Sequence, residues 1–110
     1  MSFDISLGNT GSTTVVRLSG DLADRDVAAL RRVVDEAAGW SPRRLVVDVH
    51  ALASLVPAAL RCLAFAQQHL PASSEIVVEG ASPALQARLR LAGLDRSMTI
   101  VTQGTRAAAA

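Results

Sequence analysis

The chain has 110 residues, enough for one domain with its own hydrophobic core and too few for two domains of ordinary size. Half of the residues are apolar and 19% are charged, a composition that excludes wholesale disorder. The formal net charge is only +1 and aromatic residues make up 3% of the chain, which argues against a nucleic-acid-binding surface.

Cysteine and histidine are scarce in this chain. Cys62 is the one cysteine and cannot form an internal disulfide, and His50 and His69 do not complete a zinc site with it. No run of about 18 apolar residues predicts a membrane span, and residues 1–6 lack the basic and apolar segments of a signal peptide. We therefore expect a cytoplasmic protein that holds no metal or other cofactor.

The N-terminal segment has the pattern of a β-hairpin. Residues 3–7 alternate between apolar and polar side chains, and residues 13–18 are rich in β-branched side chains up to Gly20. The sequence Gly-Asn-Thr-Gly at 8–11 is typical of a turn, because glycine and asparagine adopt positive φ at little cost. These features predict two antiparallel strands.

A helical pattern follows the hairpin. Apolar residues recur every three or four positions over 27–38, and Asp24 is the predicted N-cap. Gly39 fits the left-handed position after a helix, with Trp40 predicted to pack back onto the last turn.

Strands and helices then alternate to the end of the domain. The remaining strands are predicted at 44–49, 75–79 and 98–101. Pro57 suits the first position of a helix that runs to about Leu70, and Ser82 with Pro83 begins another that ends at Gly93.

The element order β-β-α-β-α-β-α-β predicts a single α/β domain over residues 3–102, with a mixed sheet and helices packed on it. The low-complexity segment 103–110 is predicted to be disordered. The predicted core consists of Val16, Leu18, Leu30, Val34, Leu45, Val47, Leu60, Leu63, Val77, Leu85 and Leu89.

Candidate catalytic residues are few, and the chain has no glycine-rich phosphate loop. His50 and His69 each stand alone and are interpreted as surface or capping residues, and Cys62 as a small buried apolar side chain. Asp48, at the predicted end of the central strand, is interpreted as an acceptor for backbone N–H groups at the strand-to-helix turn. We expect no enzymatic activity.

Four segments together resemble the STAS domain family, which includes the bacterial anti-sigma factor antagonists. They are residues 16–22, 44–49, 80–84 and 91–95, and the resemblance extends from about Phe3 to Thr102. It implies the same fold that the predicted element order gives, and a regulatory function exercised by binding other proteins.

The resemblance also implies that this chain has lost a phosphorylation site. In the family, an Asp-Ser-Ser/Thr-Gly motif opens the helix after the central strand, and a partner kinase that is also the anti-sigma factor phosphorylates its second hydroxyl residue. Here the motif aligns with Val-Pro-Ala-Ala at 56–59, so that Ala58 occupies the acceptor position. An aspartate that many relatives carry is Ala23 here, with Asp24 one residue later.

A partner-binding surface is predicted around the start of this helix. Its predicted members are Asp21, Asp24, Ser54, Val56, Pro57, Ala58, Arg61 and Phe65. Helical spacing places Phe65 on the face of Ala58 and Arg61, opposite the leucine face expected in the core. Phe65 either anchors a partner at the surface or packs beneath a neighbouring element.

Three functions remain open at this point. The leading hypothesis is a non-enzymatic module of bacterial transcription regulation that binds an anti-sigma factor of the serine-kinase type. Without a phosphoacceptor it would be constitutive, decoy-like or divergent in its partner. The alternatives are a STAS subunit of a transport or lipid-trafficking assembly, and a sensor that binds a small ligand near Asp48 and Asp21. We expect a monomer or weak dimer that binds neither nucleic acid nor membrane.

Overall fold

Five strands and three α-helices alternate in the structure, a computed structural model that describes residues 2–102. The strands are β1 (Phe3–Thr10), β2 (Thr13–Leu22), β3 (Arg44–Leu55), β4 (Glu75–Ala81) and β5 (Thr99–Thr102). The helices are α1 (Val27–Gly39), α2 (Pro57–His69) and α3 (Pro83–Leu91), with 3-10 turns at Asp24–Asp26 and Leu94–Arg96. The segment 103–110, predicted to be disordered, lies outside the described residues.

The strands form one mixed sheet in the order β1-β2-β3-β4-β5. β1 and β2 pair in antiparallel orientation as a hairpin, and the remaining neighbours are parallel. The predicted α/β fold with an N-terminal hairpin and a mixed sheet is confirmed.

All three helices pack on the same face of this sheet. The three parallel connections all move in the same direction across the sheet, each to the next strand. Because such crossovers are right-handed, all three helices lie on the same side. The apolar side chains of that face form one buried cluster with those of the helices. The predicted core residues are all buried, with Val77 on the opposite, helix-free face beside Asp48 and Glu79.

The start of α1 differs from the sequence prediction. Asp24 is exposed in a 3-10 turn and caps nothing, so the predicted N-cap is wrong. The Asp26 carboxylate instead accepts a hydrogen bond of 3.0 Å from the Ala23 N–H. Asp26, the third residue of the turn, therefore holds the start of the helical segment, the role predicted for Asp24.

The end of α1 also differs from the prediction. Gly39 lies within the helix, and Ser41 takes the left-handed conformation with φ 49°. Pro42 disfavours the right-handed helical region for the residue before it, so the chain leaves the helix at Ser41. Trp40 is 44% exposed, so much of its ring remains open to solvent.

The other helix ends follow the sequence signals. Pro57 is the first residue of α2, which ends one residue before the predicted Leu70. The Ser82 hydroxyl accepts a hydrogen bond of 3.2 Å from the Leu85 N–H at the start of α3. Gly93 follows α3 with φ 78°, the left-handed conformation expected there.

β1 to β4 are longer than predicted, whereas β5 keeps its predicted length of four residues and lies one residue further along the chain. β1 continues to Thr10, so that the hairpin turn is only Gly11–Ser12. β2 and β4 pass through Gly20 and Gly80, each near a shift in strand register. β3 continues to Leu55, which places Asp48 in the middle of the strand rather than at its end.

No helix within residues 2–102 is long and apolar enough to cross a membrane.

Leu63 tests the assignment of the buried face of α2. Its side chain is 4% exposed and belongs to the core cluster, so Leu63→Ala should lower the free energy of unfolding by about 2–5 kcal/mol. Urea unfolding followed by circular dichroism measures this change. Leu91→Ala is the matched control, because Leu91 is 90% exposed and its truncation should change stability by less than about 0.5 kcal/mol. Equal effects of the two substitutions would contradict the assignment.

Candidate functional site

The predicted partner-binding surface is built around the junction of β3 and α2. Val56, the N-cap of α2, has an extended backbone, and its N–H donates a hydrogen bond of 3.0 Å to the Leu22 carbonyl at the end of β2. No side chain caps α2, and Pro57 supplies a backbone already suited to the first helical position. The helix start is therefore fixed by backbone and proline, without a hydroxyl or carboxylate.

Ser54 and Asp21 contact each other just before this junction. They lie opposite each other on β3 and β2, and the Ser54 hydroxyl donates a hydrogen bond of 2.7 Å to the Asp21 carboxylate. Asp24, also predicted in the surface, is exposed and has no side-chain hydrogen bond or ion pair with another residue of the described chain. The nearest hydroxyl to Ala58 on its N-terminal side is thus already engaged with a carboxylate.

A groove of about 310 Å³ separates α1 from α2. It is lined by Val27, Arg31, Asp35, Ala58, Arg61, Cys62 and Phe65. Ala58, Arg61 and Phe65 lie together on the exposed face of α2, as helical spacing predicts. The groove combines an apolar floor with two guanidinium groups and one carboxylate.

Phe65 lies at the surface rather than beneath a neighbouring element. It is 43% exposed, with the Arg31 guanidinium 5.2 Å above its ring and the His69 ring centroid at 4.2 Å. The Nδ1 atom of His69 lies 2.9 Å from the carbonyl oxygen of Phe65. These contacts hold an aromatic ring in place while leaving much of it open to a partner.

The predicted surface residues fall into two groups. Ser54 lines a second cavity of about 140 Å³, between the end of β3 and α3, with Ser82 and Arg88. The Arg88 guanidinium donates a hydrogen bond to the Leu55 carbonyl there. The structure therefore brings Ala58, Arg61 and Phe65 together, and places Ser54 with Asp21 in a separate group.

The small-ligand site predicted near Asp48 and Asp21 is not formed by both residues, because the two lie far apart. Asp48 pairs with Arg17, and Asp21 lies four residues further along β2, roughly 13 Å at the usual rise of a strand. Neither side chain lines any of the five best-formed cavities of residues 2–102.

A charged cluster on the helix-free face escaped the sequence prediction. The Asp48 carboxylate accepts hydrogen bonds from the Arg17 guanidinium at 3.2 Å and from the His50 backbone N–H at 3.1 Å. His50 Nδ1 lies 2.6 Å from the same carboxylate, so the interpretation of His50 as an isolated surface or capping residue was wrong. Burial raises the pKa of Asp48, but the hydrogen bonds from His50 and Arg17 bring it below its usual value.

Glu79 completes this cluster from the neighbouring strand. One potential ligand atom of each of Asp48, His50 and Glu79 lies within 4.8 Å of the other two. The strand was predicted to end at residue 49, one residue before His50, so the Asp-x-His spacing alone did not place both side chains on one strand face. Glu79 belongs to a different strand, and only the sheet register brings it near.

The chain belongs to the STAS domain family. The family model described as "Mlab, STAS domain" matches residues 5–102. No curated protein sequence matches the chain significantly.

Solved structures of anti-sigma factor antagonists have the same fold. An anti-sigma factor antagonist from Mycobacterium paratuberculosis is 25% identical, with a TM-score of 0.79 over 91% of this chain and 86% of that one. The Bacillus cell fate determinant SpoIIAA, in its phosphorylated form, is 19% identical, with a TM-score of 0.72 over 92% and 94%. A putative antagonist from Thermotoga maritima is 13% identical, with a TM-score of 0.78 over 94% and 90%. The chain is thus a STAS module with the fold of these regulators.

Cys62 gives a chemical test of the groove. Burial, followed by the Asp35 carboxylate, raises the pKa of the Cys62 thiol above its ordinary value. Because the thiolate is the reactive form, alkylation of the native protein should reach half of its maximal rate at a higher pH than alkylation of the urea-unfolded chain. Rates with a soluble thiol reagent between neutral and alkaline pH measure both midpoints.

Asp35→Asn provides the control for this test. It should lower the native midpoint and leave the unfolded midpoint in place, since the carboxylate acts only in the folded groove. A native midpoint at or below that of the unfolded chain would contradict the placement of Cys62.

Proposed function

We propose that this chain is a non-enzymatic regulatory module that binds an anti-sigma factor of the serine-kinase type. The proposed contact surface comprises the start of α2 and the groove between α1 and α2. The proposal is supported by membership of the STAS family and by the likeness to the 25% identical anti-sigma factor antagonist.

Phe65 is the single observation that carries the proposal. A large aromatic ring that is 43% exposed lies in a groove, below the Arg31 guanidinium and on the same face as Arg61. Aromatic and arginine side chains supply most of the energy at protein interfaces, where a few residues dominate. Its contacts with Arg31 and His69 also reduce the entropy that binding would cost the ring.

The proposed binding is not controlled by phosphorylation. A phosphate would add about −1.5 to −2 charge units at the helix start, which is sufficient to repel a partner. Ala58 and Pro57 offer no hydroxyl for it, and Ser54 precedes the helix and donates its hydrogen bond to Asp21. The module is therefore constitutive on this surface.

A permanent subunit of a transport or lipid-trafficking assembly is the second candidate. The missing phosphoacceptor favours it, because a subunit that never leaves its complex needs no release signal. The two candidates differ in how the protein purifies from its native cell. A permanent subunit stays with its complex in fixed proportion through successive chromatographic steps, whereas a regulator exchanges with added free protein.

Arg61→Glu tests the proposed contact surface. Affinity capture from the native cell with the wild-type chain should retain a serine-kinase-type anti-sigma factor, identified by mass spectrometry. If Arg61 is an interface anchor, its charge reversal should cost about 2 kcal/mol or more of binding, about thirtyfold in Kd, with little change in Tm. Arg90→Glu is the matched control on exposed α3. Equal binding by both variants would show that Arg61 is not part of the contact surface. Loss of folding in Arg61→Glu would show that Arg61 has a structural role.

The captured partner also tests the absence of a phosphorylation switch. Incubation with the partner kinase and Mg-ATP should leave residues 54–62 unmodified by peptide mass analysis, and ATP turnover should not change binding. Ala58→Ser restores a hydroxyl at the acceptor position and should gain a phosphate under the same conditions. A stoichiometric phosphate on Ser54 of the wild-type chain would instead show a relocated switch.

A further inference from the structure

The cluster of Asp48, His50 and Glu79 on the helix-free face has no role in the proposed function. Its central feature is the position of the His50 ring over β4. Gly80 makes that position available, because a Cβ atom at residue 80 would lie 2.4 Å from the His50 Cγ. Val49 and His50 together lie opposite the single residue Leu18, so β3 contains a bulge at this point. Bulges of this kind redirect side chains near binding sites.

The contacts of Asp48 define which nitrogen of His50 is free to bind. An ionised carboxylate only accepts hydrogen bonds, so the Nδ1 that lies 2.6 Å from it carries the hydrogen. When the ring carries only this hydrogen, its Nε2 presents a lone pair. Nε2 is buried, with less than 1 Å² of accessible surface, and has no hydrogen-bond partner in the described part of the chain. A buried polar atom without a partner is uncommon in folded proteins and points to a missing ligand.

The same arrangement is typical of histidines that bind metal ions. In such sites one ring nitrogen donates to a carboxylate, which fixes the ring and raises the basicity of the other nitrogen toward the metal. One carboxylate oxygen of Glu79 lies within 4.8 Å of both a ring nitrogen of His50 and a carboxylate oxygen of Asp48. We propose that His50 Nε2 and the Glu79 carboxylate bind Zn²⁺, with Asp48 as the positioning acceptor and water completing the coordination.

The charges around the cluster favour zinc over magnesium or calcium. The Arg17 guanidinium lies 3.2 Å from Asp48 Oδ2 and balances its charge, so little carboxylate charge remains for a hard cation. Magnesium and calcium depend on several oxygen ligands, whereas imidazole is a preferred ligand of zinc. Two protein ligands leave coordination positions open, unlike the four of a structural zinc site.

Titration of the untagged, metal-free protein with Zn²⁺ tests this site. Isothermal titration calorimetry should show one equivalent bound. In ¹⁵N-labelled protein, long-range ¹H–¹⁵N spectra of the histidine rings should show a shift confined to His50 Nε2. His50→Gln and Glu79→Gln should each weaken binding at least tenfold, and Asp48→Asn about tenfold to a hundredfold as a positioning residue. An excess of Mg²⁺ should not compete.

The controls separate this site from other ligands of zinc. His69→Gln and Cys62→Ser remove the remaining histidine and the one thiol, and both should keep the wild-type affinity. Two ligand variants are used so that a folding defect in one, detected by circular dichroism, leaves the other informative. The proposal is overturned if the wild-type protein does not bind zinc. It is also overturned if Glu79→Gln still binds zinc with wild-type affinity, or if Cys62→Ser no longer binds it. A wild-type Nε2 resonance that is unchanged by Zn²⁺ overturns it as well.

Discussion

The one-sided packing of the sheet is the constraint on which the rest of the molecule depends. The parallel strands follow one another in chain order, and right-handed crossovers then place every helix on the same face. One face is consequently buried in a single apolar cluster, and the other remains available for charged side chains such as Arg17 and Asp48. Both candidate surfaces follow from this asymmetry: a groove between two helices and a polar cluster in mid-sheet.

The groove exists because the core fixes the rotation of α2. Leu60 and Leu63 are buried against the sheet, and at 3.6 residues per turn this leaves Arg61 and Phe65 facing outward beside α1. Since packed interiors tolerate little movement, that orientation is held by the apolar face rather than by contacts at the surface. The surface residues are therefore free to vary in chemistry while keeping their positions.

Local and non-local information account for what the sequence could and could not predict. The outward face of α2 and the start of α3 at Ser82 were predicted, because helical period and capping act over a few residues. The ends of β2 and β4 were predicted too early, at Gly20 and Gly80. Both strands continue past these glycines because they remain paired with neighbouring strands.

The polar cluster shows the same limit at a functional level. Asp48 lay on the predicted strand 44–49 but His50 lay just beyond its predicted end, and Glu79 joins them only through the register of β3 with β4. The predicted partner surface also divided in two, because Ser54 faces the cavity beside α3 whereas Ala58 faces the groove beside α1. The resemblance to STAS proteins predicted the scaffold, and the roles of its surface residues remain predictions.

The structure gives a physical reason why α2 can begin without a hydroxyl or carboxylate cap. At the start of α2, the backbone bond from Val56 to Leu22 and the fixed φ of Pro57 define the helix, so no hydroxyl cap is needed. Ala59 is fully buried, whereas Ala58 lines the groove. Ala58 is thus partly exposed beside the groove and is not part of the buried core cluster. A change of side-chain chemistry at this position leaves the packing of the core in place.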